Sequence, residues 1–114
     1  MNQILSNLED LVSKHAGPDE LAQLERFAVS RRELASDPWR PAYHFSPPEG
    51  TMNDPNGLCQ WRGLYHLFYQ FKPGDTRRTH WAHAVSEDLM HWKDLPLAIY
   101  PTTEDRCFSG QTLV

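Results

Sequence analysis

Leu64-Tyr65-His66-Leu67-Phe68-Tyr69-Gln70-Phe71 is the stretch that decides the fold of this chain. Side chains along a strand alternate between faces, so Tyr65, Leu67, Tyr69 and Phe71 share one face and Leu64, His66, Phe68 and Gln70 the other. Both faces are largely apolar or aromatic, which predicts a strand held between two other layers. Before it, Leu58-Cys59-Gln60-Trp61 reads as a partner strand, turned back by Arg62-Gly63. After it, Thr79 to Ser86 makes a third strand and His91-Trp92-Lys93 starts a short fourth, with Pro96 and Pro101 bracketing a connector. Cys107 to Val114 then begins a new strand and the chain stops on apolar Leu113-Val114. Four consecutive antiparallel strands and the start of a fifth describe one propeller blade and the beginning of the next. A blade buries both faces only by stacking on neighbours, so the chain is expected to be part of a larger protein.

The aromatics cluster in this half. Of the 13 Phe, Trp and Tyr residues, only Phe27 precedes Trp39. Pro38, Pro41, Pro47, Pro48 and Pro55 make the approach to the first strand extended and loop-like. Upstream the period changes. Ile4, Leu8, Leu11, Val12 and His15 recur on one face of an amphipathic helix. Gly17-Pro18 stops it, and Pro18 with Asp19 and Glu20 opens a second helix whose stripe is Leu21, Leu24, Phe27 and Ala28. Ser36-Asp37-Pro38 ends that helix, because a residue before proline is pushed out of the helical region. The expected organisation is a helical leader over residues 1–36 and a truncated β-propeller domain over 37–114.

Composition bounds the function. With 39% apolar and 23% charged residues, the 114-residue chain reads as soluble and globular. A net charge of −4 argues against nucleic acid as a partner. No stretch approaches the roughly 18 apolar residues of a membrane span. The first twenty residues carry Glu9, Asp10, Asp19 and Glu20 among leucines, unlike a secretory signal, so a cytoplasmic location is expected. Cys59 and Cys107 cannot make a disulfide framework and read as free, semi-buried thiols. His80 and His83 project to opposite faces of a strand, so no metal site is expected.

The chemistry sits in Met52-Asn53-Asp54-Pro55-Asn56-Gly57. On residues alone, Asn-Asp-Pro-Asn-Gly is first a tight turn, since Pro fixes φ and Asn-Gly readily supplies positive φ. Yet Asp54 stands just before an aromatic-rich strand, and a rigid backbone is how a nucleophile is held still. Asn53 beside it could hydrogen-bond a substrate hydroxyl. A fixed carboxylate among aromatics points to sugar chemistry, where glycosidases use a pair of Asp or Glu residues. Spacing names no partner for that pair.

Arg40-Pro41-Ala42-Tyr43-His44-Phe45-Ser46-Pro47 followed by Met52-Asn53-Asp54-Pro55-Asn56-Gly57-Leu58 resembles the opening of glycoside hydrolase family 32, the invertases, sucrose-6-phosphate hydrolases, inulinases and levanases. The likeness runs on through Tyr65 to Gln70, Trp81 to Trp92, Leu95-Pro96-Leu97-Ala98 and Cys107-Phe108-Ser109-Gly110. It implies a five-bladed β-propeller with a C-terminal β-sandwich, of which this chain holds the first blade and the start of the second. It implies hydrolysis of β-fructofuranosides such as sucrose or sucrose 6-phosphate with retention, and no cofactor. Asp54 matches the nucleophile that would form a covalent fructosyl-enzyme. Asn53 and Gln70 match residues that bind fructosyl hydroxyls, Phe108 and Ser109 a pair lining the same subsite, and Thr51 and Met52 the start of the nucleophile motif in that subsite. The family's Arg-Asp-Pro stabiliser and Glu acid/base are expected beyond Val114, so the chain alone is expected to be inactive.

Departures from the family pattern are specific. Thr51 stands where an aromatic is common, and Lys72 to Thr79 lacks the Trp-Gly pair of invertases. Gln111 follows Phe-Ser-Gly where serine is usual. Trp81-Ala82-His83, Cys107 and the helical leader look more like the sucrose-6-phosphate hydrolase branch. On that branch Arg77 and Arg78 could attract a sugar phosphate, although a solvated basic loop is the plainer reading. The alternative function is a non-catalytic fructoside-binding or interaction module derived from the propeller.

Overall fold

The computed structural model describes residues 3–114. Two helices, α1 (Gln3–His15) and α2 (Pro18–Leu34), precede four strands, β1 (Thr51–Trp61), β2 (Leu64–Lys72), β3 (His80–Ser86) and β4 (Lys93–Ile99). The strands form one antiparallel sheet in the order β1-β2-β3-β4, a simple meander. Trp61 faces Leu64 across a two-residue turn in which Arg62 and Gly63 have φ of 50° and 80°. Positive φ at both central positions gives the turn the twist that two antiparallel strands need.

Alternation along β2 separates the layers. Leu67, Tyr69 and Phe71 join Ala82, Leu97 and Phe27 of α2 in the main core cluster. Phe27 meets Phe71 edge-on at 5.8 Å, and Phe45 meets Tyr69 at 5.1 Å and Trp92 at 5.7 Å. On the opposite face His66, Phe68 and His83 stack, with Phe68 and His83 centroids 4.3 Å apart. Helix α1 packs differently from its predicted stripe. Leu5, Leu8 and Val12 rest against Leu64, Val85 and Leu95, while Leu11 is 54% exposed.

Helix α2 also anchors the irregular approach to the sheet. Arg31 grips Asp94 of β4 with two bonds of 2.9 Å and donates to the Ser46 carbonyl at 2.7 Å. Arg26 pairs with Glu49 at 2.7 Å, and the Ser30 hydroxyl donates to the Pro48 carbonyl. The proline-rich segment thus has no regular structure of its own but a fixed path into Thr51. Between β3 and β4 the Asp88 carboxylate accepts the His91 and Met90 amides at 2.8 and 2.9 Å and the His91 ring at 2.7 Å. Those bonds, the His91 amide first, hold its carboxyl well below the usual carboxylate range.

Three local expectations are corrected. Asn53-Asp54-Pro55-Asn56-Gly57 is not a tight turn but the first half of β1, with register shifts between Met52 and Pro55 and between Asn56 and Cys59. Proline lacks an amide donor, and an edge strand with bulges is where a sheet accommodates it. By the same physics β4 continues through Pro96 instead of ending there. It is the other edge, and its register breaks between the Trp81–Ile99 and His83–Leu95 pairs. Residues 107–114 form no strand. They cross the aromatic face, held by the Trp81 indole, which donates to the Phe108 carbonyl at 2.9 Å.

Candidate active site

At the end of the sheet away from the Arg62-Gly63 turn, the start of β1, the end of β2 and residues 106–109 enclose a cavity of about 230 Å³. Asn53, Asp54, Gln70, Phe108 and Ser109 all line it. Residues 55 positions apart are brought together: the Ser109 hydroxyl donates to Asp54 Oδ2 at 2.6 Å. Among the described residues no other hydrogen bond to that carboxylate is present, and Asp54 lines the cavity.

Gln70 is fixed by the segment that carries Ser109. Its Nε2 donates to the Cys107 carbonyl and the Ser109 Oγ, each at 3.4 Å, and the residue is 8% exposed. Its register partner on β3 is Trp81. Cys107 is buried, and burial, then the Glu104 charge, push its thiol up, so it stays protonated. Phe108 is 73% exposed and lines the cavity. Gly57, with φ of 55°, keeps β1 close to Thr112, whose hydroxyl occupies the space a Cβ would need.

Thr51 and Met52 lie apart from this group. Thr51 is exposed and faces Lys72 in the ladder, and Met52 packs against the core cluster around Phe27 and Phe71. Conversely, Lys72, Thr79 and Arg106 line the cavity although the sequence reading gave them no role. Lys72 could have been found, because it stands two positions after Gln70 on the same strand face. Arg106 could not. Its place depends on a short parallel bridge to Thr79, closed by Thr79 N–H donating to Asp105 at 3.0 Å and Cys107 N–H to Thr79 at 2.9 Å. Arg77 and Arg78 line no part of the cavity; Arg78 donates to the Thr102 and Glu104 carbonyls at 2.8 Å and braces that loop.

The arrangement offers a single accessible carboxylate, two amides positioned to bond hydroxyls, an aromatic face and two cations. Among the described residues, no three His, Cys, Asp or Glu side chains gather in a way that could hold a metal ion.

The chain is similar to known proteins over most of its length. The model of the glycosyl hydrolases family 32 N-terminal domain matches residues 44–114. The levanase of Bacillus subtilis is 49% identical over 78 residues, covering 67% of this chain and 12% of the levanase. The sucrose-6-phosphate hydrolase of Escherichia coli is 39% identical over 104 residues, 87% of this chain and 20% of that enzyme. Among solved structures, the Bombyx mori family 32 beta-fructofuranosidase superposes with a TM-score of 0.64 at 44% identity, covering 83% of this chain and 21% of that one. A variant of the silkworm enzyme in complex with sucrose gives a TM-score of 0.69 at 41% identity. The chain therefore spans about a fifth or less of the length of these relatives.

Proposed function

Because the chain belongs to glycosyl hydrolase family 32, we propose that it carries the nucleophile and part of the fructosyl subsite of a retaining β-fructofuranosidase. In this reading residues 37–114 are the opening of a five-bladed propeller and residues 1–36 a helical leader clamped to its first blade. The observation that carries the proposal is the convergence of Asp54, Asn53, Gln70, Phe108 and Ser109 on one cavity, with Asp54 restrained through a single oxygen.

The lining residues support a two-step retaining reaction. Asp54 Oδ1 attacks the anomeric C2 of a terminal β-fructofuranoside while Ser109 holds Oδ2. The C2–O bond to the leaving sugar breaks with its electron pair on that oxygen, which takes a proton from a second carboxylic acid. Water then attacks C2 of the fructosyl ester, and the same acid, now a base, accepts its proton. Two inversions give retention. Asn53 and Gln70 bond the fructosyl hydroxyls and Phe108 covers a ring face. Only Asp54 among the cavity-lining residues is a carboxylate, so the acid/base comes from elsewhere in the fold and the 114-residue chain binds sugar without turning it over. Sucrose, sucrose 6-phosphate or a fructan is the substrate class, and Trp81-Ala82-His83 with Cys107 favours the sucrose-6-phosphate hydrolase branch and its cytoplasmic location.

Amide and side-chain NMR shifts of the 114-residue chain titrated with fructose test the reading. Shifts centred on Asn53, Asp54, Gln70 and Ser109, weakened by Gln70→Ala, are expected, with no fructose released from sucrose. Shifts centred elsewhere would remove the subsite. Release of fructose that Asp54→Asn abolishes would show that the chain needs no second acid from outside. A non-catalytic binding module is the second reading, favoured by the single carboxylate; it predicts the same binding but no covalent reaction at Asp54.

A further inference from the structure

We infer that Trp81 is a positioning residue for the candidate site: from β3 it clamps the backbone on both sides of Ser109 and so sets the hydrogen bond that Ser109 makes to Asp54. The clamp stands on contacts alone, and its bearing on catalysis rests on the nucleophile reading of Asp54.

Ser109 and Asp54 are both exposed, so burial does not hold the 2.6 Å bond between them. Nor does a ladder, because Ser109 lies in no strand. A hydroxyl on such a segment keeps one direction only where the backbone that carries it is tied down. Trp81 supplies two ties. Its indole Nε1 donates to the Phe108 carbonyl at 2.9 Å, immediately before Ser109. Its six-membered ring lies against Gly110, immediately after Ser109, so closely that a Cβ there would stand 3.0 Å from the ring. One side chain thus holds Ser109 between a bond and a packing contact.

Trp81 can do this because it is itself fixed. It is buried, and it occupies β3 between Gln70 on β2 and Ile99 on β4. Residues paired directly across two strands project to the same sheet face, so Trp81 and Gln70 stand side by side beneath the segment that carries Ser109. The Gln70 bonds to the Cys107 carbonyl and the Ser109 Oγ are long, at 3.4 Å, whereas 2.9 Å is the ordinary length of an N–H···O bond. Trp81 therefore makes the stronger tie. It is not among the residues lining the cavity, so its influence on Asp54 passes through Ser109. Misplacing a reacting group by about 1 Å costs on the order of a hundredfold in rate, which makes such a clamp matter to the chemistry.

The NMR resonance of the Asp54 carboxyl carbon in the 114-residue chain reads the bond, and Ser109→Ala gives its position with the bond removed. Trp81→Phe, which deletes the indole donor, and Gly110→Ala, which drives a methyl against the ring, should each move that resonance towards the Ser109→Ala position. Trp81→Phe added to Ser109→Ala should move it no further. Val85→Ala, which loosens the same strand where it packs on Leu64 and Leu95, should leave it in place. Labelling of Asp54 by β-fructosyl fluoride, in which a carboxylate oxygen bonds C2 as fluoride leaves with the electron pair, supplies a rate. That rate should fall by about tenfold or more in Trp81→Phe and in Ser109→Ala, and by no more in the two combined. A resonance that stays put in Gly110→Ala and in folded Trp81→Phe overturns the proposal, as do additive rate losses; if Trp81→Phe does not fold, Gly110→Ala decides. A resonance that follows the clamp in a chain whose Asp54 takes no label keeps Trp81 as the residue that positions Ser109 and sinks the nucleophile reading.

Discussion

Asp54 and His83 are the two residues whose surroundings make the sharpest predictions. The proposed nucleophile role of Asp54, whose Oδ2 takes the Ser109 hydroxyl, is open to a fructosyl donor whose leaving group needs no protonation. β-Fructosyl fluoride should therefore label the chain once, and mass spectrometry of the digested protein should place one fructosyl unit on the peptide containing Asp54. Asp54→Asn should show no label, because an amide cannot form the ester; label on another residue would remove Asp54 as the nucleophile. His83 stacks on Phe68 and meets His66 across a 3.0 Å contact between ring nitrogens, with Cys59 in the same apolar groove. Burial, then the neighbouring His66 charge, pull its ring down from 6.5 to about 4. The fold thus prefers neutral His83, while the unfolded chain takes up the proton near 6.5. The resulting stability is present in full above that pH and is lost as pH falls towards 4, by up to about 3 kcal/mol. Urea midpoints at pH 7 and pH 4.5 measure the drop, and His83→Phe should flatten it. His80 is shifted in the same direction by its own burial, so a drop untouched by His83→Phe would assign the effect there. The motif made Asn53, Asp54, Gln70, Phe108 and Ser109 legible in the sequence. Lys72 was open to reading from its spacing to Gln70, whereas Thr79 and Arg106 were silent because a two-bond bridge, not a motif, brings them in.

At the scale of elements, the hydrophobic alternation of β2 was readable and the behaviour of proline was not. Pro55 and Pro96 look like breaks because a proline cannot donate to a ladder, yet both lie within strands at the two sheet edges where a bulge relieves the missing bond. Strand order is a tertiary outcome, so no local signal could mark these strands as edges. The helix pattern misled in a smaller way: Leu11 has the right period, but α1 turns Leu5 inwards because it covers the Leu64 end of the sheet. Helix α2 is held by two unlike contacts. Phe27 is 2% exposed, and Phe27→Ala should cost about 3–5 kcal/mol through the cavity it leaves against Phe71. Arg31→Ala should cost about 3 kcal/mol, since it strands the largely buried Asp94 carboxylate without its fork. Lys93→Ala, which removes the half-exposed pair with Glu9, should stay within about 0.5 kcal/mol. Equilibrium unfolding of the three variants ranks them. An Arg31→Ala loss no larger than that of Lys93→Ala would mean that α2 is not tied to β4 by that pair.

For the whole molecule, the two sheet faces have opposite fates. One is closed by α2 and Phe45, and the other carries Trp61, His66, Phe68 and His83, with α1 over its Leu64 end and residues 112–114 beside the rest. The sequence already placed apolar side chains on both faces of β2 and so called for a second layer. What it could not say is that α1 would cover only the Leu64 end of the second face. Trp61 is 45% exposed, Leu113 97% and Val114 72%, all around the same groove. An apolar area of this kind marks a surface that another surface covers, and in family 32 relatives about four-fifths of the chain lies outside the matched part. The 114-residue chain on its own should consequently bind a hydrophobic dye in its native state and self-associate in sedimentation experiments as concentration rises. Trp61→Glu should weaken that association by about tenfold or more, because it places a charge in the apolar groove. His83→Phe keeps the face apolar and should leave it associating. A chain that stays monomeric and excludes dye at every concentration would mean that residues 107–114 already close the face, and that the blade is a self-sufficient unit.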